Sequence, residues 1–135
     1  MTARYLLDTN IASYIIKGTS PAVDRRLRKL PMTELAVSAV TEGELRFGAA
    51  RLPQANRLNR LVEEFLGRVT VLAWDSQAAL RYGSLRADLE RDGRPLGNLD
   101  LSIGAQALAL HLILVTNDEA FRHIPNLKIE NWTTG

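Results

Sequence analysis

The sequence predicts an α/β fold: a central, mostly parallel sheet of about five strands, flanked by helices on both faces. Short apolar runs at Tyr5–Leu7, Leu35–Val37 and Leu112–Val115 lack the polar alternation of a half-solvated strand. Segments of helical periodicity separate them, as parallel connections require. No linker, repeat or low-complexity tract interrupts the pattern, so a single domain over residues 1–135 is expected.

The elements follow in order. A strand is expected at Arg4–Asp8, a helix through Ile11–Ile16, and a second helix opened by Ser20-Pro21 and reaching Leu30. Leu35–Ser38 reads as a strand, followed by helices at Ala39–Ala50 and Pro53–Leu66; in the latter, Leu58, Leu61, Val62, Phe65 and Leu66 recur at helical spacing. Val69–Ala73 is the third strand. Asp75 is the expected cap of a long helix ending at Asp92-Gly93, and Asn98 the cap of another through Leu110. Strands at Leu112–Val115 and Leu127–Glu130 complete the sheet.

Composition excludes several chemistries. The 135 residues contain no cysteine, which removes thiolate catalysis, disulfides and cysteine zinc sites and fits a reducing, cytoplasmic setting. No apolar run approaches the roughly 18 residues that span a bilayer, and the first residues enter the fold pattern directly, with no leader expected. The formal charge of +2 permits a polyanionic partner without demanding one. No P-loop, G-x-G-x-x-G or G-x-S-x-G is present.

Carboxylates carry the functional signal. Leu7 runs into Asp8-Thr9-Asn10, and Val115 into Thr116-Asn117-Asp118, so two acids stand at strand ends, where parallel sheets build their sites. Each alone would be an ordinary helix cap. Glu44 could close a capping box with Thr41, but Ser38 is the more natural cap after its strand, and a helix begun there aligns Glu44 with Val40 and Phe47. A carboxylate on an apolar line requires a reason. Glu42 pairs at helical spacing with Arg46 and reads as a solvated acid. Asp100 opens an otherwise apolar helix, where a dipole role competes with a functional one, and Gly104 one turn on leaves room for close approach. Four converging carboxylates raise one another's pKa, and a hard divalent cation relieves that repulsion; oxygen-only donors suit Mg²⁺ or Mn²⁺. His111 and His123 fall in no ligand spacing and read as surface or packing residues.

These residues resemble a known family, the PIN-domain endoribonucleases, and specifically the VapC toxins of bacterial VapBC toxin–antitoxin pairs. The matching segments are LDTN at Leu7–Asn10, SAVTEGEL at Ser38–Leu45 with Phe47-Gly48, GRPLGNLDLSIGAQALAL at Gly93–Leu110, LVTND at Leu114–Asp118 and PNLKIENW at Pro125–Trp132. The resemblance implies that Asp8, Glu44 and Asp100 form an acidic triad, with Asp118 as a fourth position. It puts Thr9, Asn10, Ser38 and Thr116 in supporting polar roles. It implies Mg²⁺-dependent hydrolysis of RNA, transfer RNA among the targets, a VapB-like antitoxin, a homodimer and a cytoplasmic location. The helices at Ile11–Ile16 and Pro53–Leu66 suit an antitoxin segment, unless their apolar stripes serve only the core. Arg46 and Arg94 flank the motifs and are candidate RNA contacts. Ser102, Gly104 and a shorter segment after Asp118 depart from the family pattern. The competing readings are a noncatalytic PIN-like binding module and another Mg²⁺-dependent phosphoryl-transfer enzyme; Asp-Thr-Asn in place of paired aspartates weighs against the latter.

Overall fold

Strand residues of this chain segregate by parity, and that parity builds two cores. In the computed structural model, which describes residues 2–52 and 56–134, β1 (Tyr5–Leu7), β2 (Leu35–Ser38), β3 (Thr70–Leu72), β4 (Ile113–Val115) and β5 (Ile129–Glu130) form one sheet. Their order is β3-β2-β1-β4-β5, and every pairing is parallel. Tyr5, Leu7, Leu35, Val37 and Val115 face one core; Leu6, Ala36 and Leu114 face the other. Burial on both faces explains why the sequence shows continuous apolar runs.

The first core is covered by α1 (Thr9–Lys17), α2 (Pro21–Leu27), the inner side of α3 (Ala39–Ala50) and α4 (Asn56–Arg68), through Ile11, Val23, Leu45, Val62 and Phe65. The second is covered by α5 (Ser76–Arg91) and α6 (Asn98–Leu110), through Leu85, Leu89, Leu101 and Ile103. The apolar stripes of α1 and α4 are therefore mostly core. Between them a groove of about 210 Å³ remains, bordered by Asn10, Ile16, Glu44, Leu58 and Val62.

Several expected boundaries shift for local reasons. α2 ends at Leu27, three residues before Leu30, because Lys29 and Leu30 donate to Arg26 and Leu27 in tighter turns. The start expected at Pro53 lies outside the described residues, and α4 is described from Asn56. Asn98 is not the cap of α6: Gly97 occupies that extended position, and Asn98 is already helical, its carbonyl accepting from the Ser102 hydroxyl at 2.7 Å. β5 begins two residues later than expected because Asn126 adopts a left-handed φ of 67°, which delays entry into the sheet. Short 3-10 helices at Met32–Glu34 and Glu119–His123 complete the chain.

Two details fix α6 where the site needs it. Gln106, fully buried, donates to the Ala73 carbonyl at 2.9 Å, and Trp74 Nε1 donates to the Ser102 carbonyl at 2.9 Å. On its other side, a Cβ on Gly104 would lie 2.7 Å from Ile124 Cδ1, so the missing side chain admits the segment after Asp118. The room at Gly104 serves that packing, not an approach to Asp100.

Candidate active site

The chain leaves β1 for β2 and β3 on one side and returns to β4 and β5 on the other. This reversal opens a crevice between the carboxyl ends of β1 and β4. Asp8 stands in it as the cap of α1, 4% exposed. Its backbone N–H donates to Val115 at 3.0 Å, Oδ1 accepts from the Ile11 N–H at 2.9 Å, and Oδ2 accepts from the Thr116 hydroxyl at 2.5 Å. Thr116 Oγ1 in turn accepts from the Asp118 N–H at 3.0 Å. A hydroxyl has one proton to give, so that donor orients the Thr116 proton towards Asp8. Asp118 itself is exposed and caps the following 3-10 helix through Oδ1, which accepts from the Ala120 N–H at 2.9 Å.

The other two acids arrive on helices. Ser38 caps α3 by accepting from the Val40 N–H at 3.1 Å, and the Thr41–Glu44 capping box does not form. Glu44 instead accepts from the Thr9 hydroxyl at 2.6 Å, and buried Thr41 lies 3.1 Å from that same hydroxyl. Because the Thr9 proton goes to Glu44, Thr41 must be the donor in the second contact. Thr41 was legible only as a cap; its role emerges when β1 and β2 come side by side. On the apolar line that spacing gives Glu44, Val40 packs against the second core, while Phe47 is 66% exposed beside Glu44. Asp100 is half-buried in the first turn of α6, and no hydrogen bond or ion pair holds its carboxylate among the described residues.

Electrostatics joins the four. Burial pushes the Asp8 carboxyl above its usual 3.8, against the lowering effect of Thr116 and Ile11, and the charges of Asp100 and Asp118 add to the rise. Burial likewise raises Asp100 above 3.8, reinforced by Asp118 and Glu44. Asp100 thus senses both the strand-end acids and the α3 acid. None of the ion pairs among the described residues includes any of the four. Their oxygens do not converge on one point: among the described residues, no group of three or more acidic, histidine or cysteine side chains already forms a closed metal cage. The donor chemistry is nevertheless that of a hard cation, with oxygen ligands and no neutralising base.

The remaining candidates separate. Asn10 is exposed and borders the α1–α4 groove, and Ser38 serves α3 as a cap. Arg46 is bound to Glu42 at 3.0 Å and to Glu63, whereas exposed Arg94 has no side-chain partner among the described residues. Tyr14, missed in the sequence, accepts from Asn117 Nδ2 at 3.2 Å and ties α1 to the loop that carries Asp118. His111 is the left-handed cap of α6, and His123 is exposed.

Comparison with known proteins defines the class first: the PIN-domain model matches residues 5–127. The chain is 37% identical over 131 residues to the tRNA(fMet)-specific endonuclease VapC of Shigella flexneri, covering 96% of this chain and 98% of that one. It is 34% identical over 130 residues to ribonuclease VapC2 of Haemophilus influenzae, with the same coverage of 96% and 98%. Its fold matches DNA-bound VapBC from Salmonella typhimurium with a TM-score of 0.90 at 35% identity, over 96% of this chain and 98% of that one. VapBC2 from Rickettsia felis, bound to a promoter DNA fragment, matches at 0.88 and 34% identity, over 95% and 98%. The chain belongs to the VapC family of PIN domains.

Proposed function

We propose that this protein is a Mg²⁺-dependent endoribonuclease, the toxin of a toxin–antitoxin pair, with transfer RNA in its substrate class. One observation carries the reading: at the sheet's switch point Asp8 and the Asp118 N–H share the Thr116 hydroxyl, Asp100 feels the charges of Asp118 and Glu44, and no ion pair among the described residues reaches any of the four. The names of relatives at 34–37% identity, which are nucleases, support it.

Asp8 and Asp100 would be the central ligands of one or two Mg²⁺ ions, with Mn²⁺ as a substitute, and Glu44 and Asp118 would complete the coordination. A bound ion supplies Lewis acidity toward the scissile phosphate and lowers the pKa of a coordinated water. The chain's own residues prepare this. Thr116 and the Ile11 N–H hold both Asp8 oxygens in place, so a ligand binds without reordering them. The Thr41–Thr9 relay fixes Oε1 of Glu44. Asp118 has its Oδ1 engaged by Ala120 and keeps Oδ2 available to orient or accept a proton from water. Thr9, Thr41 and Thr116 are positioning residues. Asn10 and Arg94 are left for substrate contact, and Arg46 would first have to leave its two carboxylates.

The partner is a VapB-like antitoxin, as in the VapBC complexes to which the fold is similar, and its segment would lie in the α1–α3–α4 groove that Glu44 borders. A homodimer and a cytoplasmic location accompany this reading; no helix among the described residues is long and apolar enough to cross a membrane. The decisive test is RNA cleavage with Mg²⁺, with EDTA, and by Asp8→Asn and Asp100→Asn. Cleavage should vanish in all but the first, and undiminished cleavage by the folded variants would overturn the proposal. Sequencing the RNA ends made by wild type against Asp8→Asn identifies the target, and co-purification with the neighbouring gene product tests the antitoxin.

A further inference from the structure

We infer that the pocket between α2 and the segment after β5 is a second binding site, for phosphates of the RNA strand whose cleavage is proposed above. The inference rests on that reading and locates where the strand runs beyond the acids. The pocket has a volume of about 660 Å³ and is lined by Arg25, Arg26, Arg28 and Lys29 on one side, and by Glu130 and Trp132 on the other. Four cationic side chains face one carboxylate, so its lining carries more positive charge than the +2 of the whole chain.

The wall is built rather than incidental. Glu130 Oε1 accepts from Trp132 Nε1 at 2.9 Å and from Arg26 Nη2 at 3.2 Å, while the Arg26 guanidinium lies 5.5 Å from the Trp132 ring centroid. Trp132 is buried, edge-on to Tyr5. The single acid is thus consumed inside the wall. Arg28 and Lys29 lie beyond the end of α2, are exposed, and have no side-chain partner among the described residues. Arg28 is the C-cap of α2 and Lys29 follows it, so the negative end of the helix gathers all four cations at one place.

Position links this pocket to the acids. Val115 pairs in register with Leu7 on one side and with Glu130 on the other, and the Thr116 N–H donates to the Glu130 carbonyl at 3.0 Å. Glu130 therefore stands in the row just below Asp8, two strands away, or roughly 10 Å at ordinary strand spacing. An acidic centre repels the polyanion it cuts unless cations outside the centre hold the neighbouring phosphates. The α2 pocket supplies them on the face of the sheet that carries Tyr5, Leu7 and Trp132.

The experiment measures binding of a fluorescent single-stranded RNA by full-length protein in EDTA, where no cleavage occurs, across a salt series. Arg28→Gln/Lys29→Gln is compared with wild type and with Arg68→Gln, an exposed cation on α4. The double variant should bind about tenfold more weakly at 0.1 M salt, and its slope of log affinity against log salt should be shallower by roughly 1.4, about 0.7 for each lost phosphate contact. Arg68→Gln should keep the wild-type slope. An unchanged slope in the double variant, or loss of antitoxin affinity with RNA affinity intact, overturns the inference. If wild type cleaves with Mg²⁺ while the slope is unchanged, only the pocket assignment fails; if wild type neither binds nor cleaves RNA, the nuclease reading fails with it.

Discussion

Asp8 and Asp100 lie close enough for the charge of one to raise the pKa of the other, but are held in opposite ways. Asp8 stands at a strand end with both oxygens engaged, by a backbone N–H and by a hydroxyl whose proton is itself oriented. Asp100 stands on a helix whose position is fixed by Gln106 and Trp74, yet its carboxylate makes no hydrogen bond among the described residues. In the first case the fold positions the side chain; in the second it positions only the backbone. Both carboxyls are raised in pKa by burial and by their neighbours. The difference teaches that Asp8 is part of the scaffold through its cap and its hydroxyl partner, while no hydrogen bond among the described residues accounts for the half-buried charge of Asp100.

The comparison breaks most sharply in activity. Loss of a residue that merely supports a metal ligand costs about 10–100-fold, so Asp8→Asn and Asp100→Asn should each lower RNA cleavage by at least ~100-fold while remaining folded. Either variant cleaving at the wild-type rate would separate that acid from the reaction. Thr116→Val should fall within the smaller range of about 10–100-fold, because it frees Asp8 without removing it. Beside Asp100 there is no matching change, as no side chain among the described residues holds it.

Stability should then divide the pair. Asp8→Ala should be less stable than Asp8→Asn by about 1 kcal/mol in urea unfolding, since asparagine still caps α1 and alanine leaves the buried Ile11 N–H unpaired. Equal stabilities would mean that the cap contributes nothing. Asp100→Asn should instead raise the Tm relative to wild type at pH 7. The sign follows from proton linkage: a carboxyl whose folded pKa exceeds its unfolded value of 3.8 binds more proton in the folded state, so stability falls as pH rises from about 3.8 through the folded pKa. The gain of Asp100→Asn should accordingly shrink below pH 4. Added Mg²⁺ should raise the Tm of wild type and leave that of Asp100→Asn almost unmoved, through ligand linkage that needs no turnover.

Much of this architecture is legible in the sequence where local chemistry and tertiary packing agree. β2 and α3 match their expected bounds because Ser38 both ends a buried strand and caps the next helix. The four acids stand out for a similar reason, as charges placed against apolar surroundings. What remains hidden depends on pairing between distant segments. Thr41 meets Thr9 only across β1 and β2, and Asn117 reaches Tyr14 only once α1 has folded back on the sheet. The cap of α6 is misread because asparagine outranks glycine in local preference, while the turn before Asn98 places Gly97 at the extended position. Phe47, on the apolar line read from helical spacing, lies on the outer side of α3 and is exposed, which spacing alone does not reveal.

The bare backbone at Gly104 lies on the seam between the segments that carry two of the acids. α6 carries Asp100 one turn earlier, and the Ile124 methyl that presses on Gly104 terminates the stretch that Asp118 begins. A single added methyl, as in Gly104→Ala, would work as a shim, met first by the tip of Ile124, which has to turn aside before the seam can stay closed.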